Sequence, residues 1–308
     1  MKQNSSDPSG PLAFYNDRFL PQSDLTIPIH DAGFVQGATI TDLCRTVRHK
    51  LYRWSVHLAR FQQSCRATGI YPTLSVESIS ESAHQLIAHN VRNLPDHQDL
   101  ALVMLATPGP LGYYVGQPEN GPPTFLMHTF PLPLARYRTL FEQGVRLRIP
   151  SVRHIPQVCV DPRIKQRSRL HWWQAEREVK QANPYASALL LDLSGHVTET
   201  ATANFLLVKN GVVFSPPWSG ILNGVSLQVI RELCGKLGMK FAEKPLSVYD
   251  CLNADEAMLT NTNFFLTGVS SINGTPLPWP GAMFKKLASA WETELGFGFR
   301  EQILGSGC

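Results

Sequence analysis

Apolar positions along the chain repeat in two ways, every second residue and every third or fourth. Thr39-Ile40-Thr41-Asp42-Leu43-Cys44-Arg45-Thr46-Val47 alternates and is rich in β-branched residues, which predicts a strand with Thr41 and Arg45 on one side and Asp42 and Cys44 on the other. His49-Lys50 turns it into a second short strand, Leu51 to Trp54. The unbroken apolar run Ala101 to Thr107 predicts a buried strand, and Thr124 to Phe130 another. Phe14 to Phe19 is a short strand segment with Asn16-Asp17 as its turn. Helical spacing covers Ser55 to Ser64, with Ser55 as N-cap, then Val76 to Asn90, His171 to Gln181, Leu227 to Leu237 ending at Gly238, and Gly281 to Leu295. Between the last three lie strands at Ala188 to Asp192, at Val197 to Val208 after the turn Ser194-Gly195, and at Val269 to Asn273. Val145 to Ile149 adds one more, and Asn210-Gly211 makes a hairpin turn. The interleaving predicts a mixed α/β fold.

A chain of 308 residues suffices for one large domain or two ordinary ones. The proline-stiffened Pro131-Leu132-Pro133-Leu134-Ala135 reads as a linker, about residues 131–137. It separates a small domain, 1–133, from a larger one, 138–308. The polar start, about residues 1–12, is expected to be disordered, and Gly305 to Cys308 loose. With 28 basic and 24 acidic side chains the net charge is +4, no nucleic-acid footprint. The cluster Arg163, Lys165, Arg167, Arg169 is the densest basic run, but no aromatic interleaving accompanies it. The six cysteines form no C-x-x-C pair and no zinc spacing, so a metal is not expected and reduced thiols point to the cytoplasm. No apolar run reaches the roughly 18 residues of a membrane span, and the first ten residues lack the apolar core of a signal peptide.

Candidate chemistry centres on Arg163-Ile164-Lys165-Gln166-Arg167-Ser168-Arg169-Leu170, leading into the helix that follows. Then come Leu189-Leu190-Leu191-Asp192, a turn, Val197-Thr198-Glu199 and Asn204-Phe205. Taken singly, Lys165 is a solvated lysine and Glu199 a hairpin residue. Taken in order, the segments resemble the fold-type IV pyridoxal-phosphate enzymes, or class IV aminotransferases. This family includes branched-chain and D-amino acid aminotransferases and 4-amino-4-deoxychorismate lyase. Further segments carry the resemblance: Asp31-Ala32-Gly33-Phe34 with Gly37, His57-Leu58-Ala59-Arg60, Ile221-Leu222-Asn223-Gly224, and Ala254-Asp255-Glu256 with Thr262. Together they span roughly residues 14–290.

The resemblance implies a two-domain fold, a small N-terminal α/β domain and a larger pseudo-barrel domain with helices, holding pyridoxal 5'-phosphate in the cleft between them. It implies Lys165 at the mouth of a helix as the amine that takes the cofactor's aldehyde as a Schiff base and moves the substrate proton. It implies Glu199 as the acid beside the ring nitrogen. Arg60, Asn204, Gly224, Val225, Ser226 and Thr262 become cofactor contacts. The residue types suit the work: a primary amine for an aldehyde, a carboxylate for a protonated ring, and a guanidinium and a helix N-terminus for a phosphate. Substrate-pocket candidates are Thr41, Arg45, Tyr113 and Asn261. Here the chain departs from the family. Thr41-Asp42 stands for an aromatic and a glutamate, and the loop Pro108 to Tyr114 lacks the arginines that many members carry. The implied activity is amino transfer between an amino acid, branched-chain among the candidates, and a 2-oxo acid, by a homodimer. Two alternatives stay open: an aminodeoxychorismate lyase, toward which Arg169-Leu170 leans, and a binding protein that kept the fold.

Overall fold

The computed structural model describes residues 10–92 and 94–306. The expected frayed start therefore lies mostly outside the described residues, as does Cys308. Pro11 and Leu12 do not belong to it, because Leu12 already pairs in a sheet. The chain forms two compact units, the first ending at Leu132 but also holding Lys165–Ser168, the second made of Pro133–Ile164 and the residues from Arg169 onward.

The first unit is built on six antiparallel strands: β1 (Leu12–Tyr15), β2 (Arg18–Pro21), β3 (Ile40–Val47), β4 (Lys50–Leu51), β5 (Leu100–Thr107) and β6 (Thr124–Pro131), in the order β2-β1-β6-β5-β3-β4. The apolar run of β5 is central, and it sets Asp42 opposite Met104 and Arg45 opposite Ala101. A short helix, α1 (Ala32–Val35), is capped by the Asp31 side chain. Helices α2 (Trp54–Thr68) and α3 (Val76–Asn90) pack on the sheet. α2 does not start from a Ser55 cap. Arg53 occupies the cap in a left-handed conformation, φ 55°, with no side-chain bond, and Trp54 is anchored by its indole N–H on Ser80 Oγ, 2.8 Å. Tertiary burial of the tryptophan thus overrides the local capping signal.

Lys165–Ser168 lies along the entry to β3. Thr41 N donates to Lys165 O (3.0 Å), Arg167 N to Thr39 O (3.1 Å) and Ser168 Oγ to Gly37 O (2.6 Å). The lysine accordingly sits outside any helix, five residues before the helix Leu170–Ala182, whose mouth it was expected to occupy.

The second unit opens with α4 (Arg138–Gln143) and β7 (Val145–Arg148), followed by α5 (Leu170–Ala182), β8 (Ala186–Leu191), β9 (Val197–Thr200), β10 (Asn204–Lys209) and β11 (Val212–Ser215). It continues through α6 (Val225–Lys236), β12 (Lys240–Glu243), α7 (Val248–Leu252), β13 (Glu256–Asn261), β14 (Phe265–Ile272), β15 (Thr275–Pro276), α8 (Ala282–Leu295) and α9 (Phe299–Gly305). Gly305 is thus helical rather than loose. The strand order β12-β11-β10-β13-β14-β7-β8-β9 would leave two edges, but β9 also pairs with β10. That pairing closes β10-β13-β14-β7-β8-β9 into a ring, and its register pair is Asn204 opposite Glu199. Closure pairs the β9 edge, and β11 and β12 extend from the ring as a branch on β10. Trp172, Ala175 and Val179 of α5 cover Ala188 and Leu190 of β8. Buried Glu256 accepts from Met283 N and Phe284 N and caps α8, fixing that helix on the barrel.

Candidate active site

In the first unit, a charged cluster is buried where α2 crosses β3. His57 and Arg60, three apart and so on one helix face, both reach Asp42. Arg60 donates through Nε to Asp42 Oδ2 (2.8 Å) and through Nη2 to Oδ1 (2.9 Å), and His57 Nδ1 donates to Oδ1 (2.8 Å). All three side chains are buried. Burial alone would raise the Asp42 carboxyl, but the Arg60 charge and the His57 hydrogen bond outweigh it and hold the group well below the usual carboxylate range. Burial lowers His57, Asp42 opposes this, and the Arg60 and Lys165 charges lower it further, so the ring is neutral with its proton on Nδ1. Lys165 is held by its main chain, its N–H on Ser64 Oγ (3.2 Å) and its carbonyl on Thr41 N. The backbone thereby fixes where the side chain starts.

The substrate candidates of this unit separate. Thr41 is buried with its hydroxyl on Met104 O, 2.9 Å. Arg45 is 0% exposed, bonded to Thr46 O and to Asp99, which also accepts from Thr46 Oγ1. It forms an ion pair with Asp99 inside the sheet, where it is buried rather than open to a substrate as its candidacy for the pocket would need. Tyr113 lies 86% exposed in the short turn of helix Gly112–Val115.

In the second unit, the candidates Glu199 and Asn204 form the barrel-closing pair. Glu199 is buried on β9. Its Oε2 accepts from Asn204 Nδ2 (3.0 Å), its Oε1 from Leu222 N (3.1 Å), and His154 Nε2 stands 3.7 Å from Oε1. A carboxylate held on both oxygens has one orientation. Two residues beyond Leu222, Gly224 begins α6 as an N-cap with no side-chain cap bond, followed by buried Val225 and Ser226. The first N–H groups of a helix and its positive dipole end suit a phosphate. Glycine is required there for space: a Cβ on Gly224 would lie 2.0 Å from Asn204 Oδ1. Thr262 sits in the β13–β14 turn, which Asn261 organises by accepting from Asn263 N and Phe264 N. Asn261 also donates to Thr202 O, so its amide serves the loop.

Sequence reasoning missed three participants. Asp42 was visible only as a departure, although the i, i+3 spacing of His57 and Arg60 could have shown a shared acceptor. Leu222 acts through its main chain and has no side-chain signature. His154 is an isolated histidine far from Glu199 in sequence.

The family described as amino-transferase class IV matches residues 39–272. The chain belongs to the class IV aminotransferases. Members of this family work with pyridoxal phosphate. A Methanocaldococcus jannaschii protein, named provisionally as a branched-chain-amino-acid aminotransferase, is 28% identical over 85% of this chain and 88% of its own. The D-alanine aminotransferase of Bacillus licheniformis is 24% identical over 91% and 96%. The solved branched-chain amino acid aminotransferase of Escherichia coli has a TM-score of 0.83 at 21% identity, covering 94% of this chain and 95% of that one. Among the described residues, no helix is long and apolar enough to cross a membrane, and no group of three His, Cys, Asp or Glu could hold a metal ion.

The residues present fit the family's cofactor. The first unit offers a primary amine and a buried guanidinium, the second an oriented carboxylate and a helix mouth without a side-chain cap.

Proposed function

We propose that this class IV aminotransferase moves an amino group between an amino acid and a 2-oxo acid, with Lys165 and Glu199 as its catalytic residues. The observation that carries the reading is the Glu199 carboxylate, held by Asn204 and Leu222 two residues from the mouth of α6. Bound pyridoxal phosphate supplies an electron sink for the charge that develops at the substrate α-carbon. The Glu199 carboxylate keeps a proton on the ring nitrogen, which strengthens that sink. At the α6 mouth that Gly224 begins, the main-chain N–H groups of Val225 and Ser226 would hold the phosphate; Thr262 and Arg60 are the further phosphate candidates. Asp42 fixes the Arg60 fork so that it approaches a phosphate in one geometry. Lys165 would hold the cofactor through its aldehyde, and its amine, once freed by substrate, would move the proton between the substrate α-carbon and the cofactor.

We further propose a homodimer in the cytoplasm. The exposed Ile29, Phe34, Tyr113 and Tyr114 lie on segments joined by Leu111 N to His30 O and Ala32 N to Gly109 O, an apolar patch for a second copy. The described cysteines are all unpaired, as a reducing compartment requires.

The test is the visible absorbance of the purified protein before and after a panel of L- and D-amino acids. A cofactor band that converts with one class of donor is expected, and it names the substrate class. A band that no amino acid shifts, together with pyruvate release from aminodeoxychorismate, would make the protein a lyase. The absence of any band after added pyridoxal phosphate would overturn the roles of Lys165 and Glu199.

A further inference from the structure

The Asn204 amide has two hydrogens, and both are spent. One goes to Glu199 Oε2 at 3.0 Å and the other to Leu222 O at 2.9 Å. Both partners are acceptors, so the nitrogen must face them and the amide orientation is settled. Leu222 O also accepts from Gly224 N at 2.8 Å, and Leu222 N returns to Glu199 Oε1 at 3.1 Å. The result is a closed circuit running Glu199, Asn204, Leu222 and back to Glu199, with the turn into α6 bonded to the same carbonyl. Asn204 Oδ1 lies against Gly224, where a Cβ would come within 2.0 Å. The Asn204 side chain therefore has no donor left for a cofactor, which changes its expected role from contact to support.

We propose that Asn204 is a positioning residue that sets the distance between two anchoring ends of one site, the Glu199 carboxylate and the α6 N-terminus. The inference rests on the function proposed above, in which the carboxylate serves the ring nitrogen and the helix mouth serves the phosphate. Ring nitrogen and phosphate belong to one molecule, so a site that fixes the spacing of its two anchors would gain the advantage of binding both groups at once. Asn204 joins the two ends directly, one hydrogen bond to each side. It lies on β10 opposite Glu199 and also opposite Thr260 of β13, so the circuit is mounted on the barrel rather than on a loop. Aspartate in its place would set an oxygen against two acceptors, and serine has a single hydroxyl proton for two bonds.

The experiment uses the full-length protein stripped of cofactor, its Asn204→Ala and Asn204→Ser variants, and three probes: pyridoxal 5'-phosphate, pyridoxal without phosphate, and inorganic phosphate as a competitor. Asn204→Ala is expected to weaken pyridoxal phosphate binding on the order of ten- to hundredfold while leaving each fragment within about twofold of wild type. Asn204→Ser should fall between, and it serves alone if the alanine variant does not fold. An unchanged affinity for pyridoxal phosphate overturns the proposal. So does a loss of phosphate binding in the same proportion, since that would mean local collapse of the helix mouth. If the wild-type chain binds no pyridoxal phosphate, the proposed function fails and the brace with it. A failure confined to the variants concerns the brace alone.

Discussion

Replacing Gly224 by alanine should disable the chain without touching a catalytic side chain. The backbone there has φ −65° and ψ 134°, which any L-residue adopts, so no conformational strain arises. The cost is steric. The new methyl would stand 2.0 Å from Asn204 Oδ1 and 3.2 Å from its Cγ, so the amide has to move by roughly an ångström or more. A hydrogen bond does not survive such a shift. Asn204 then loses its bond to the charged Glu199, worth about 1.5–3 kcal/mol, and its bond to Leu222 O, worth about 1 kcal/mol. Alanine is also a poorer N-cap than glycine by about 0.5–1 kcal/mol. The expected destabilisation is about 3–5 kcal/mol, read from denaturant unfolding of the cofactor-free chain. The decisive form is a double-mutant cycle with Asn204→Ala. Once the amide is gone the methyl has room, and Gly224→Ala should cost only about 1 kcal/mol, the capping term. A Gly224→Ala chain within about 0.5 kcal/mol of wild type would refute the steric argument. An equal cost in both backgrounds would refute the link to Asn204.

Two further outcomes concern titrating groups. Asp42→Asn leaves Arg60 buried without its charge partner and should destabilise by about 3–5 kcal/mol at pH 7. Asp42's folded value lies below its unfolded one, so its contribution is present above about pH 4 and is lost as pH falls through the low folded value. The deficit should therefore shrink in acid, and one that stays constant down to about pH 2.5 contradicts the pairing. His171 is pushed down to about 4 by burial, by His154 and by Arg169. The unfolded chain then binds its proton first, so stability is full above about pH 6.5 and drains away toward pH 4. His171→Leu should flatten that slope by about 1 kcal/mol, the full shift being cut by solvent at the partly exposed ring. An unchanged slope in unfolding midpoints between about pH 7.5 and 5 would show that the ring is not desolvated.

How far the sequence could be read depends on where each interaction partner lies. The alternation of Ile40–Val47 and the apolar run of Leu100–Thr107 made their strands legible, because a strand's burial pattern is written in its own residues. The Val76–Asn90 helix carried its own cap at Ser75. Lys165 was legible as a residue, but its place outside the helix was not, because Gln166 and Arg167 join β3 through backbone atoms alone. Arg45 looked available on its strand face until Asp99, 54 residues away, filled that face. Asn204 was legible by its place after Glu199, whereas its second partner is a main-chain carbonyl that any residue at 222 would supply.

The barrel is joined at very different ranges in sequence. β7 meets β14 by pairing Val145 with Val269, so that seam waits for the chain between them to be ordered. Glu199, Asn204, Leu222 and the start of α6 all fall within one short contiguous stretch. Contacts of short separation form fast, and those of long separation form slowly. The end of the site proposed for ring nitrogen and phosphate is thus built from contacts of short sequence separation, whereas the β7–β14 seam depends on a long-range one.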